Sequence, residues 1–70
     1  MNDELLAVIR QTIDALPDSL REAIVLREFD GLSYEEIAEV MGCPVGTVRS
    51  RIFRARESLE EAMGPFLAGN

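Results

Sequence analysis

Pro17, Gly31, the triplet Gly42-Cys43-Pro44 and the pair Gly64-Pro65 cut this 70-residue chain into four main stretches, each repeating its apolar residues at helical intervals. A period near 3.6 between strong breakers argues for helices and against alternating strands. The expected fold is all-α, a four-helix domain. In the first stretch Leu5, Ile9, Ile13 and Leu16 fall on one stripe, with Asn2 or Asp3 as the cap. Pro17 ends that helix. The next start is written in two ways, with Pro17 as a first helical residue or with Ser19-x-x-Glu22 as a capping box.

The second helix is expected to run to about Phe29. Its apolar residues Leu20, Ala23, Ile24, Val25, Leu26 and Phe29 cover most of the circumference, which marks a central pillar packed on several sides. Asp30-Gly31 closes it, Gly31 suiting a left-handed position. Ser33-x-x-Glu36 opens a short third helix whose buried face is expected to be Ile37, Val40 and Met41, with Ala38 suited to a close crossing. Gly42 can take positive φ and Pro44 fits the first turn of a new helix. That fourth helix should run from about Pro44 to Met63. Residues 1–63 then form the domain, and 64–70 a mobile tail. A capped short helix, a Gly-containing turn and a longer helix, in this order, make a helix-turn-helix.

Charge is distributed unevenly. The net charge is −6 and the pI near 4.4, awkward for a nucleic-acid binder. Residues 1–42 carry ten acids and three arginines, whereas residues 43–56 carry four arginines and no acid. At about 100° per residue, Val45, Val48, Ile52, Ala55, Leu59 and Met63 form one packing stripe of the fourth helix. Opposite stand Gly46, Ser50, Phe53 and Glu57, with Thr47, Arg51 and Arg54 on one flank and Arg49 and Arg56 on the other. A helix entering the DNA major groove needs this layout. Small residues allow close approach, flanking cations meet phosphates, and a few central side chains reach base edges. An arginine-rich face can equally be a solvated stripe; the helix-turn-helix order tips the balance.

Individual residues carry two readings each. Phe53 points away from the packing stripe, either toward a thymine methyl in the groove or against a neighbouring helix or the tail. Tyr34 begins the third helix, where backbone N–H groups favour an anion, or it is a half-buried ring covering the core edge. Arg27, near the end of the second helix, snorkels and offsets the dipole there, with DNA contact the lesser alternative.

The stretch LPDSLREAIVLREFDGLSYEEIAEVMGCPVGTVRSRIFRAR, from Leu16 to Arg56, resembles region 4 of extracytoplasmic-function sigma factors, especially the sigma-E-like group. Its combination of GLSYEEIA, CPVGTVRSR and FRAR is far more specific than any one element. The resemblance implies a DNA-binding domain of the sigma region 4 type that reads the promoter −35 element, with an AAC core favoured. Thr47, Arg49, Ser50, Phe53 and Arg54 match positions facing bases; Tyr34, Arg51 and Arg56 match positions suited to the backbone. It also implies double-stranded promoter DNA and the RNA polymerase core, through its β flap, as partners, and an anti-sigma factor as regulator. A further N-terminal region, which binds the polymerase core, would belong to the same factor.

Other classes fit less well. There is no His, no phosphate-binding Gly-rich loop and no nucleophile beside a plausible base, and a chain this size buries only about 60% of its unfolded surface, so neither an enzyme nor a cofactor is expected. The single Cys43 cannot form an internal disulfide and has no companions at metal spacing, which suits a reduced cytoplasmic setting. No apolar run approaches the roughly 20 residues of a membrane span, and the first residues lack a basic stretch followed by an apolar block, so neither a membrane span nor a signal peptide is expected. Two rivals remain: the helix-turn-helix output domain of a response regulator, which should dimerise through its last helix, and an acidic helical protein-interaction module.

Overall fold

A computed structural model describes residues 3–68, with side chains over 3–66. It contains α1 (Asp3–Ala15), α2 (Asp18–Glu28), α3 (Tyr34–Met41) and α4 (Val45–Ala68), and no strand among the described residues. The central pillar is α4 and not α2 as expected: α4 packs against each of the other three helices, whereas α2 meets α4 and α3. At about 1.5 Å per residue the 24-residue α4 is some 36 Å long. It accounts for the elongated 40 × 18 × 18 Å shape.

The core is small and aliphatic. Leu16, Ala23, Ile24, Ile37, Val48, Ile52 and Ala55 form one buried cluster, edged by Leu20, Leu26, Met41 and Leu59. α4 supplies Val48, Ile52 and Ala55, the middle of its expected stripe, while Val45, Leu59 and Met63 are half-buried toward its ends. Removing a side chain as enclosed as Ile24 or Ile37 would cost about 2–5 kcal/mol. Ile13 extends the burial along α1, and Leu5 and Ile9 lie half-buried on the same stripe. Of the two caps expected for α1, Asn2 lies outside the described residues and Asp3 is already helical.

Several boundaries differ from expectation. The Ser19-x-x-Glu22 box does not form, and Pro17 is not the first helical residue. Pro17 is instead the N-cap of α2 with ψ 147°, its carbonyl accepting from the Leu20 and Arg21 amides at 3.0 Å. Ser19 therefore falls inside the first turn, too late to cap it. The ion pair of Asp18 with Arg21, which also donates to the Asp14 and Leu16 carbonyls, stitches this corner to the end of α1. Phe29 and Val40, expected to pack, are 67% and 57% exposed. Phe29 lies just past α2, where the chain is already turning, and α3 has only eight residues, so Ile37 and Met41 suffice for its contact and Val40 swings to the rim.

α4 does not end at Met63. It continues through Gly64 and Pro65 to Ala68. A proline inside a helix removes the bond to the carbonyl four residues back. Here that carbonyl belongs to Glu61, an exposed residue, where water can satisfy it. No described helix is long and apolar enough to cross a membrane.

Candidate nucleic-acid interface

α3, its turn and α4 are held by hydrogen bonds that the sequence specifies. Ser33 Oγ accepts from the Glu36 amide at 3.0 Å, and Glu36 Oε1 accepts from the Ser33 amide at 2.8 Å, completing the expected capping box. The Ser33 amide first, and the Ser33 side chain second, hold the Glu36 carboxyl below the usual carboxylate range. At the far end Gly42 takes φ 65°, ψ 41°, and the Cys43 amide reaches back to the Ala38 carbonyl at 3.1 Å. This is a left-handed closure in which the Ala38 carbonyl accepts from both the Gly42 and the Cys43 amides. The Pro44 carbonyl then accepts from the Thr47 and Val48 amides at 3.0 and 3.2 Å, which starts α4.

The side of α4 away from the core presents Gly46, Arg49, Ser50, Phe53, Arg54 and Glu57, all exposed. Phe53 keeps 64% of its surface open, so packing against a neighbouring element does not account for it. Two shallow grooves meet along this face. One is bordered by Arg49, Ser50, Phe53 and Arg54. The other brings Thr47, Ser50, Arg51 and Arg54 beside Ser19 and Leu20 of α2. The five residues expected to face bases thus share one continuous surface, with Ser50 and Arg54 common to both grooves.

The residues expected at the backbone are more constrained. Arg51 is half-buried and donates to Cys43 Sγ at 3.6 Å, within the limit for a sulfur acceptor. Tyr34 is half-buried beneath two arginines, with Arg27 Cζ 4.8 Å and Arg49 Cζ 5.8 Å from its ring centroid. Arg27 also donates to the Leu32 carbonyl at 2.9 Å, closing the α2–α3 loop in which Gly31 takes φ 70°. Arg27 is half-buried, its guanidinium held between the Tyr34 ring and the Leu32 carbonyl of the loop. Arg56 pairs with Glu28 across the α2–α4 contact at 2.5 Å, and its pKa is raised chiefly by that hydrogen bond. Glu28 was not singled out by sequence. Its one signal is its position, an acid in the last turn of α2 where a cation is preferred.

The family model described as Sigma-70, region 4 matches residues 6–59, more than three quarters of the chain. The chain belongs to the sigma-70 region 4 family. Over 67 residues, 96% of its length, this region 4 chain is 63% identical to the RNA polymerase sigma-H factor of Pseudomonas aeruginosa. It is 58% identical over the same length to the ECF RNA polymerase sigma-E factors of Salmonella typhimurium and Escherichia coli. The chain spans 35% of each of these relatives. The matched residues run from α1 into α4 and take in α3, the turn after it and α4 as far as Leu59.

Proposed function

We propose that this region 4 domain reads the −35 element of promoter DNA by laying α4 in the major groove, so that a sigma factor can direct transcription initiation by RNA polymerase. The observation that carries this reading is the exposed arc Arg49, Ser50, Phe53 and Arg54, set opposite the fully buried Val48, Ile52 and Ala55 of the same helix. Arg54 and Arg49 offer paired donors to guanine or phosphate, Ser50 a short polar contact, and Phe53 an apolar surface for a thymine methyl. Thr47 borders the groove toward α2, and Tyr34, Arg51 and Arg56 serve the backbone. The relatives' names, all RNA polymerase sigma factors, support the same role.

The polymerase core is the second partner, docking through its β flap away from the arginine face. Exposed Phe29 and Val40 supply apolar surface outside α4 for such a contact. An anti-sigma factor is the third, and the acidic residues of α1–α3 offer complementary charge to a basic partner.

Selection from a randomised duplex pool at low salt, run with the parent chain and Arg54→Ala in parallel, tests the central reading. Counterion release alone gives affinity without sequence enrichment. A non-palindromic motif with an AAC core that blurs in the variant is the expected result. A palindromic motif would transfer the domain to the response-regulator class, and no enrichment would overturn promoter reading by α4.

A further inference from the structure

The four arginines of α4 are not equally available. Arg49 and Arg54 are exposed, Arg51 leans on Cys43, and Arg56 is held by a residue 28 positions earlier in the chain. That residue, Glu28, ends α2, where the unpaired carbonyls already carry partial negative charge. Its own helix therefore repels the carboxylate, and Arg56 is the cation that compensates it. The pair remains open to solvent, with side-chain exposures of 45% for Arg56 and 46% for Glu28. A carboxylate and a phosphate present the same chemistry to a guanidinium, two anionic oxygens that match its fork. Arg56 also follows Arg49 by seven residues, two helical turns, and so lies on the same flank of α4.

We propose that Glu28 is an internal competitor of the DNA backbone: its carboxylate holds Arg56 in the free domain and yields it to a phosphate oxygen when α4 enters the groove. The inference rests on the reading of α4 as a groove-binding helix and adds an affinity-setting residue that lies outside the helix-turn-helix. Because phosphate carries no base identity, the competition weakens matched and random duplexes alike. It supplies a local form of the restraint that an acidic chain exerts on non-specific binding, acting through one contact rather than through net charge.

The test is a double-mutant cycle with Glu28→Gln and Arg56→Gln, reading duplex affinity across a salt series. Glu28→Gln removes a negative charge and so strengthens DNA binding somewhat in any background; direct competition adds a gain that exists only while Arg56 is present. An exposed ion pair of this kind corresponds to a gain of about two- to fivefold. Arg56→Gln should lower the slope of log affinity against log salt by about 0.9, the value for one phosphate contact, with or without Glu28→Gln. Equal gains from Glu28→Gln with and without Arg56 would overturn the proposal, as would a salt slope indifferent to Arg56. If Arg56→Gln lowers the thermal midpoint too far for binding work, Arg56→Lys takes its place. It keeps the charge and the slope but loses the fork, so the gain from Glu28→Gln should shrink. An Arg56-independent slope with sequence preference intact sinks this proposal alone, whereas absence of all duplex binding by the parent chain sinks it together with the functional reading.

Discussion

Arg27 lies with its Cζ 4.8 Å from the centroid of the Tyr34 ring, joining the last turn of α2 to the first residue of α3. The same guanidinium closes the intervening loop on the Leu32 carbonyl, so one side chain ties the end of α2 to the start of α3. Cation–π contacts of this kind contribute about 0.5–2 kcal/mol. Tyr34→Phe keeps the ring and should leave the denaturant midpoint nearly unchanged, whereas Tyr34→Ala should lower stability by about 1–2 kcal/mol. A loss in Tyr34→Phe as large as in Tyr34→Ala would assign the effect to the hydroxyl instead.

The Ser33–Glu36 box gives the domain a pH-dependent clasp. The folded carboxyl of Glu36 titrates below its unfolded value. Its stabilisation is therefore complete above the ordinary carboxylate range and is lost as pH falls through the lowered folded value. Thermal midpoints followed from neutral into acid should fall less steeply for Glu36→Gln than for the parent chain. Ser33→Ala should cost about 1 kcal/mol at neutral pH, the usual cost of removing an N-cap side chain.

Gly42 is required by conformation and not by space. Its φ is 65°, yet a Cβ built there would meet nothing within 4 Å. Gly42→Ala should destabilise by about 1–2 kcal/mol through the left-handed backbone, and Gly42→Asn should recover part of that loss. A chemical-denaturation series over the three side chains checks the order, and an Ala variant as stable as the parent would contradict it.

On the proposed reading of α4, Phe53 should separate binding from folding. With 64% of its surface exposed it contributes little to the core, and Phe53→Ala should change stability by no more than about 0.5 kcal/mol. The same substitution should weaken binding to the selected duplex more than to a random one, visible in a paired titration. Equal weakening of both would place Phe53 outside base readout.

The parts of this fold legible in the sequence are those fixed by neighbours along the chain. The Ser33 box, the left-handed Gly31 and Gly42, and the Val48, Ile52 and Ala55 stripe each depend on residues a few positions apart. What was misread depends on partners the local pattern does not name. Periodicity placed Val40 beside Ile37 and Met41, but how wide a strip of α3 is covered depends on the helix it meets. Ser19 carried a capping signature, and the geometry of Pro17 one step earlier decided the register. Pro65 was a sound stop signal overridden in an exposed helix end. For the site, the exposed arc of α4 followed from helical spacing alone. The Arg56–Glu28 pair, bridging 28 residues, is set by how α2 and α4 cross.

α4 is at once the spine on which the other three helices rest and the helix that presents the arginine face. Its two sides share a backbone but few obligations: Val48, Ile52 and Ala55 are closed off from solvent, while Ser50, Phe53 and Arg54 have no part in the buried cluster. The outward residues can therefore be exchanged one at a time without renegotiating the fold that carries them.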